Sequence, residues 1–310
     1  ETRRLPGSGA GPSPDRMLIG SEGILGILTE AWMRLQDRPT HRATVGVSFD
    51  DFHRGAQAVR ALSQSGLFPT NCRLIDAAEA RSTGAGDGTA ALLVLGFESA
   101  DHPVGPWMER ALELVSDHGG RYDRETKSSD AHRDGAAGSW RDAFLRAPYL
   151  REVLTPMGVI ADTFETAVTW DRFEELHRGV TARLTEVMQE VTGHPGSTIT
   201  CRLTHVYPDG PAPYFTFQAL GTFDGALDQW RRIKLAANEI VVDLGGTITH
   251  HHAVGRDHRH AGYDNQVPAL FREAFAGAKG RLDPHAIMNP GVLLDTPGRG
   301  ATAGGILASE

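Results

Sequence analysis

The order of predicted strands and helices occurs twice along this chain, and that repeat restricts the folds open to it. The first copy comprises a strand over 44–49, a helix from residue 50, strands near Arg73 and Leu92, and a helix over 107–118. The second comprises a strand over 159–168, a helix over 173–191, strands over 197–206 and 214–220, and a helix over 224–244. Hairpins pair strands antiparallel, and each helix has one apolar stripe to bury. We therefore predict an α+β fold, an antiparallel sheet with helices on one face.

Helix boundaries can be predicted from the residues at each end. The helix of the second copy has a continuous apolar stripe made of Phe173, Leu176, Val180, Leu184, Val187 and Val191. Gly193 and Pro195 predict its end, because glycine tolerates the left-handed conformation and proline cannot continue the helix. In the first copy, Asp50 is the predicted N-cap of a helix with Phe52, Ala56, Val59 and Leu62 on one face.

Composition excludes several classes of protein. The net charge of -8 argues against a nucleic-acid partner, which would require a basic face. Two cysteines are too few for a disulfide framework, which favours a reducing compartment. The sequence contains no run of about 18 apolar residues, which is the length that a membrane-spanning helix needs. We expect a cytoplasmic protein, with peripheral membrane contact left open as an alternative.

Two glycine-rich segments have several interpretations. Residues 20–30 begin with small residues and continue with apolar ones, so they form either a plain loop or a backbone surface that a ligand can approach closely. Residues 117–138, rich in Gly, Asp, Arg and Ser, are either a mobile lid or a solvated connection between the copies.

Three consecutive histidines, His250, His251 and His252, are followed by Arg256. Side chains on an extended segment alternate, so at most two of these rings share a face. Imidazoles bind metals, but no carboxylate or cysteine lies nearby at a metal-like spacing, so no metal is expected. Binding of an anionic substrate, with proton transfer, is the other functional interpretation, and a surface cluster without a role is the alternative to both.

Three further residues stand out by their local context. Tyr214 follows a double-proline turn at the start of a strand, where a tyrosine is either a half-buried packing residue or an acid–base group beside a cation. Arg151 and Arg73 lie among apolar residues. An arginine in that setting forms a structural ion pair or points into a site that holds an anion.

Together these segments resemble one family. Residues 20–30 are similar to the motif that closes the FAD-binding domain of vanillyl-alcohol-oxidase-type flavoproteins, and residues 283–291 resemble the C-terminal signature of FAD-linked oxidases. Glycolate and D-lactate oxidoreductases carry a metal-binding segment where this chain has its triple histidine. The triple histidine instead resembles the pattern of the alkyldihydroxyacetonephosphate synthases. Further matches to that family lie at 147–151, 164–166, 170–172 and 213–215, and the resemblance spans residues 17–294.

The resemblance implies a transferase without net redox change. Its substrate is an acylated dihydroxyacetone phosphate that adds to flavin N5, loses a fatty acid and accepts a long-chain alcohol. The implied catalytic residues are Tyr214, His250, His251 and His252; the substrate-binding residues are Arg151, Arg73 and Arg256; and the FAD contacts are Glu22, Gly23, Ile24, Leu25, Gly26, Ile27 and Leu28. Ala253 and Arg256 depart from the Gly and Lys of the family.

The resemblance also implies a division of the chain. Residues 1–38 correspond to the end of an FAD-binding domain, 39–280 to a substrate-binding cap, and 281–310 to a return segment with a flexible tail. The first lobe of the flavin domain has no counterpart, so the chain by itself is expected to bind FAD poorly and to be inactive. A homodimer is expected. The alternatives are an FAD-linked oxidoreductase of a 2-hydroxy acid and a flavin-free anion-binding module.

Overall fold

A computed structural model describes residues 9–122, 142–143, 145–146, 149 and 151–295. They fall into two compact units. The central unit is Gln36–His250, and the terminal unit consists of the described parts of Glu1–Leu35 and His251–Glu310. The domain boundaries expected at residues 38 and 280 stay predictions. Most of the predicted lid over 117–138 lies outside the described residues.

The central unit contains one antiparallel sheet, in which the described residues form six strands. These are β1 (His41–Phe49), β2 (Asn71–Ile75), β3 (Ala91–Ser99), β4 (Val159–Glu165), β5 (Thr198–Val206) and β6 (Pro211–Leu220). Their spatial order is β1-β3-β2-β5-β6-β4. The two sequence repeats therefore supply one half of the sheet each, joined where β2 pairs with β5.

Helices flank these strands, and the four long ones occur in the predicted order. The central unit has α2 (Phe52–Gln64), α3 (Ala77–Ser82), α4 (Gly105–Asp117), a 3-10 turn (Thr155–Met157), α5 (Phe173–Thr192) and α6 (Ala226–Asp243). The terminal unit has α1 (Pro14–Leu18), a π-helical turn (Arg259–Tyr263), α7 (Asp264–Gln266) and α8 (Ala269–Leu282). Over the described part of the chain, none of these helices has the length and apolar character needed to cross a membrane.

The core lies between the sheet and the four long helices of the central unit. Residues of α2 and α4 pack on alternate side chains of β1, β3 and β2, and those of α5 and α6 pack on β5, β6 and β4. Phe164 and Phe215, both almost fully buried, stack with their ring centroids 5.1 Å apart. The predicted α+β class with helices on one sheet face is confirmed for the long helices, while the short α3 covers Ile75, Leu92 and Val94 on the opposite face.

The helix ends test the capping predictions. Gly193 ends α5 in the left-handed region, with φ 73, as predicted. The prediction of Asp50 as the N-cap of α2 is wrong. Asp51 caps the helix, accepting a hydrogen bond from Arg54 N at 2.8 Å, and Asp50 pairs with Arg121 instead. Two adjacent aspartates have the same chemistry, and only the register of the first helical turn separates their roles.

Candidate functional site

The sheet of the central unit turns an apolar face to the four long helices, and its other face carries polar side chains on β4, β5 and β6 beside the apolar patch under α3. Successive side chains of a strand point to opposite sides, which produces this division. Phe215 and Cys201 point into the helical core. Their neighbours Tyr214 and Arg202 point to the other side and lie opposite each other in the β5–β6 pairing. Arg73 on β2 alternates with buried Leu74, which is also in the helical core, and so faces the same way. The polar sheet face defined by these residues is the candidate site of this unit.

Tyr214, the predicted acid–base residue, is held by two neighbours on that face. The guanidinium carbon of Arg202 lies 3.8 Å from the centroid of its ring. Its hydroxyl donates a hydrogen bond to Thr163 Oγ1 at 2.9 Å. A phenol with a cation over its face and a hydroxyl at its oxygen is equipped to hold or move a proton.

Arg202 is itself fixed by a buried ion pair. Its Nη1 lies 2.9 Å from Glu79 Oε1, with side-chain exposures of 10% and 5%. Thr200 donates a weaker hydrogen bond to the other oxygen of Glu79 at 3.4 Å. Asp76 caps α3 by accepting a hydrogen bond from Glu79 N at 2.7 Å and also accepts one from Cys201 N, and burial raises its pKa to about 6. This network anchors α3 to β5 beside Tyr214.

Arg73 adds a second cation to the polar face. It is half-buried, and burial together with the neighbouring Arg202 guanidinium lowers its pKa below the usual arginine value. Such a guanidinium stays protonated at any physiological pH. This face therefore carries two guanidiniums beside the carboxylate of Glu79, and guanidiniums are groups that bind anions such as a phosphate ester.

Arg151, the other predicted substrate-binding arginine, lies on the helix side of β4. Its Nη1 is 4.0 Å from Asp162 Oδ1. Asp162 is directed towards α6, because it accepts a hydrogen bond from Trp230 Nε1 at 2.7 Å and lies 3.2 Å from Lys234 Nζ. Thr163 follows Asp162 in the strand and points the opposite way. Arg151 and Tyr214 are therefore on opposite sides of β4.

His250 is the predicted catalytic histidine that belongs to the central unit. Its backbone N donates to Glu165 Oε1 at 3.1 Å, and Glu165 is only 1% exposed. Its Nε2 lies 2.9 Å from the hydroxyl of Tyr207, and its ring is 5.1 Å from the His205 ring, centroid to centroid. The ring of His250 is thus oriented by groups at the end of β5.

The terminal unit is organised around Glu22. This residue adopts a left-handed conformation with φ 50. Its carboxylate accepts hydrogen bonds from Val254 N at 2.6 Å and Gly255 N at 2.9 Å, and its carbonyl accepts one from Asn289 Nδ2 at 2.5 Å. Glu22 therefore ties the segment after the histidines to the C-terminal signature, and its carboxylate is engaged within the protein.

A buried lysine connects the two segments that resemble FAD-linked oxidases. Lys279 Nζ donates to Ile24 O and Met288 O, each at 2.7 Å, and pairs with Asp283. Asp283 also accepts from the backbone N of Ile287 at 3.1 Å and of Met288 at 2.8 Å. The hydrogen bond from Lys279 lowers the pKa of Asp283. The glycine-rich segment and the C-terminal signature are thus neighbours in space.

The glycine-rich segment over residues 20–30 offers an open backbone surface that fits an extended cofactor. A Cβ added at Gly23 or Gly26 would meet no atom within 4 Å. The side chains of Ile27 and Leu28 are 77% and 74% exposed. Ile24 and Leu25 are buried. Of the predicted FAD-contacting residues, the backbone of the two glycines and the side chains of Ile27 and Leu28 are therefore the groups accessible to a cofactor. The residues present are compatible with FAD.

The other predicted residues of the terminal unit lie after residue 250. The rings of His251 and His252 meet edge to face, with centroids 4.7 Å apart. Arg256 is exposed and donates to Pro290 O at 3.2 Å. Buried Arg259, which the sequence did not single out, donates to Gly291 O at 3.0 Å and Leu294 O at 3.1 Å. Arg259 therefore holds the C-terminal signature in place.

Sequence reasoning missed the residues that position the predicted ones. Four residues that the sequence analysis did not single out each contact a predicted residue or its partner: Glu79, Thr163, Arg202 and Tyr207. The sequence held a signal for Arg202, because a strand places Arg202 and Thr200 on one face and the apolar Cys201 and Leu203 on the other. The contacts of Glu79 and Tyr207 depend on how α3 and the β5–β6 turn pack, which the pattern does not reveal.

A family model matches most of the chain. The family is described as FAD linked oxidases, C-terminal domain, and the match covers residues 38–293. A solved structure of alkyldihydroxyacetonephosphate synthase has a TM-score of 0.70 and 20% identity, covering 91% of this chain and 50% of that one. At that identity the likeness concerns the fold, and it agrees with the α+β architecture described above.

Two curated relatives are similar over nearly the whole sequence. Alkyldihydroxyacetonephosphate synthase of Trypanosoma brucei brucei is 27% identical over 305 residues, which are 91% of this chain and 48% of that protein. D-lactate dehydrogenase (cytochrome), mitochondrial, of Arabidopsis thaliana is 24% identical over 300 residues, 93% of this chain and 48% of that protein. The chain spans about half the length of the curated relatives it matches.

Proposed function

Because this chain belongs to the family of FAD-linked oxidases, C-terminal domain, we propose that its central unit is the substrate-binding part of an FAD-dependent transferase. The proposed reaction exchanges the acyl group of an acylated dihydroxyacetone phosphate for a long-chain alcohol, as in alkyldihydroxyacetonephosphate synthases. The observation that carries the proposal is the placement of Tyr214 beside Thr163 and Arg202 on the polar sheet face. Similarity to the Trypanosoma brucei brucei synthase supports the same choice.

The polar sheet face suits the phosphate and the proton transfer of this reaction. Arg73 and Arg202 supply positive charge, while Glu79 neutralises part of it through its contact with Arg202. The Tyr214 phenol is the group that would take up or return a proton at the carbon next to the substrate carbonyl. The cation over the ring favours charge on the phenol oxygen during that transfer.

FAD, when bound, supplies the electrophilic and nucleophilic ring chemistry of the exchange. In the terminal unit, the backbone of Gly23 and Gly26 and the side chains of Ile27 and Leu28 would contact it. Glu22 and Lys279 act indirectly, by holding the glycine-rich segment in its conformation. The catalytic roles of His251 and His252 and the substrate-binding roles of Arg151 and Arg256 stay predictions from the resemblance.

The competing function is oxidation of a 2-hydroxy acid by an FAD-linked oxidoreductase. Similarity to the Arabidopsis thaliana D-lactate dehydrogenase favours it. This reaction transfers two electrons to the flavin, whereas the exchange leaves the flavin oxidised at the end of each cycle. The colour of the flavin therefore discriminates between the two functions.

The test uses the complete natural polypeptide that contains this sequence, loaded with FAD. It is incubated with an acyl-labelled dihydroxyacetone phosphate and a long-chain alcohol. Release of labelled fatty acid together with alkyl product supports the transferase. Bleaching of the flavin by D-lactate or glycolate, with no exchange, would establish the oxidoreductase instead. Binding of a phosphate ester with neither reaction would point to an anion-binding module.

Cellular location, assembly and partners extend the proposal beyond the site. We propose a cytoplasmic homodimer that takes a small phosphate ester and a long-chain alcohol and releases a fatty acid. The long alkyl chain of the alcohol is the reason to include contact with a membrane surface. Sedimentation and cell fractionation of the complete polypeptide test these statements.

A further inference from the structure

Arg202 lies directly against Tyr214 on the polar sheet face. Its guanidinium carbon is 3.8 Å from the ring centroid, so the planar cation covers one face of the phenol. Attraction between a guanidinium and the electron-rich face of an aromatic ring favours this placement. The contact restricts the tilt of the Tyr214 ring, because the ring loses the attraction when it turns away.

The position of Arg202 is determined by Glu79. Their salt bridge of 2.9 Å is almost completely buried. Glu79 is in turn placed by the N-terminal turn of α3, where Asp76 accepts its backbone hydrogen bond. A buried ion pair often adds no net stability, since removing two charges from water offsets their attraction. Its location beside Tyr214 is better explained by a requirement to hold Arg202 than by stability.

Thr163 determines the direction of the Tyr214 hydroxyl. The hydroxyl donates to Thr163 Oγ1 at 2.9 Å across the β4–β6 pairing. The backbone of Thr163 is held from the helix side by Lys234 Nζ, which donates to Thr163 O at 2.5 Å. A threonine hydroxyl both donates and accepts, so it accepts from the phenol and can turn to donate to the phenolate.

We propose that Arg202 and Thr163 are positioning residues for Tyr214, with Arg202 orienting the ring plane and Thr163 the hydroxyl. The inference rests on the proposed function, in which Tyr214 transfers the proton. A displaced proton-transfer group raises the barrier of the chemical step while ground-state binding of the substrate changes little. Loss of either contact should therefore lower kcat and leave KM nearly unchanged.

The test measures exchange kinetics in the complete FAD-loaded polypeptide. Thr163→Val should lower kcat about 10-fold with KM within about 3-fold, because it removes one hydrogen bond, and Thr163→Ser should restore it. Arg202→Met removes the salt bridge of the buried Glu79 carboxylate, so the double variant Glu79→Gln/Arg202→Met is included to separate misfolding from misplacement. This double variant should lower kcat about 30-fold, and Arg202→Lys should keep part of the activity.

The control is Arg183→Gln. Arg183 pairs with Asp243 on the exposed side of α5 and α6, far from the polar sheet face in the layer order, and should leave both constants unchanged. Equal kcat values for Thr163→Val and Thr163→Ser, together with a double variant as active as Arg183→Gln, would overturn the proposal. A lower kcat in every variant, accompanied by a changed KM and a smaller yield of folded protein, would also overturn it. That result indicates a structural role only.

A spectroscopic measurement separates this inference from the proposed function. The chain labelled with ring-13C tyrosine gives a Tyr214 signal that Tyr214→Phe identifies by its disappearance. The signal should shift in Thr163→Val and in the double variant, and stay in place in Arg183→Gln. A shift without exchange in the wild type would refute the function and leave the positioning contacts standing. Exchange in the wild type without any shift would refute the positioning inference alone.

Discussion

Replacing His177 should remove part of the acid sensitivity of the central unit. His177 on α5 lies against His53 on α2, with ring centroids 4.9 Å apart, and against Phe52 at 5.0 Å. Within the described residues, its Nδ1 is buried and has no hydrogen-bond partner. The pKa of His177 is lowered from 6.5 to about 4, mainly by burial and also by the charges of His53 and Arg178, with Asp51 and Glu174 acting in the opposite direction.

The magnitude follows from the difference between the folded and unfolded pKa. Because the folded pKa is the lower one, the stabilising contribution is complete above pH 6.5 and is lost as pH falls towards 4. With about 1.36 kcal/mol per pKa unit, the loss between pH 7.5 and pH 4.5 is at most about 2.5 kcal/mol. Asp76 acts in the opposite direction, because its raised pKa of about 6 lowers stability as pH rises from about 4 to 6.

Comparing His177→Phe with the wild type isolates the histidine, because Asp76 is present in both. Urea unfolding at pH 7.5 and pH 4.5 gives the two free energies of unfolding for each protein. The wild type should lose up to about 2.5 kcal/mol more than His177→Phe between these pH values. His194→Phe, at an exposed position after α5, is the control and should follow the wild type. Equal losses in His177→Phe and the wild type would refute the reasoning.

Urea unfolding of three further variants tests contacts within each unit. Glu79→Gln leaves Arg202 buried beside a neutral side chain and should lower the free energy of unfolding by about 3 kcal/mol, whereas a loss under about 1 kcal/mol would contradict the buried pair. Lys279→Met removes the donor to Ile24 O, Met288 O and Asp283 and should cost about 3 kcal/mol, with protease cleavage of the glycine-rich segment increasing in parallel. Gly210→Ala places a Cβ 1.9 Å from Val168 O and should cost about 3 kcal/mol; a neutral result would show that the turn can move.

The fold was accessible from the sequence because its signals are local. The stripe of α5 and its glycine stop predicted Phe173–Thr192 to within one residue, and β5 to within one. The order of the two repeats led to the correct sheet class. The prediction of Asp50 as N-cap was wrong, because the adjacent Asp51 has the same side chain and satisfies the pattern equally. The placement of α3 on the second sheet face was missed because a helix of six residues is too short to show an apolar stripe.

The candidate site was predictable only in part. Tyr214 was found from its turn and its resemblance to family motifs, and it lies on the polar sheet face. Arg151 was predicted for the same role as Arg73, but the two arginines lie on opposite sides of the sheet. Which side a residue outside a strand reaches depends on tertiary packing, not on strand alternation. The family resemblance is confirmed by the match over residues 38–293, while the individual catalytic roles stay predictions.

The most direct test of the central claim is the effect of Tyr214→Phe on acyl-for-alkyl exchange by the complete FAD-loaded polypeptide. Tyr122→Phe serves as the matched control, because Tyr122 packs against the apolar core on the helix side. We expect Tyr214→Phe to lower kcat at least about 100-fold with little change in KM, and Tyr122→Phe to behave as the wild type. Exchange by Tyr214→Phe at the rate of the control would contradict the assignment of proton transfer to the polar sheet face.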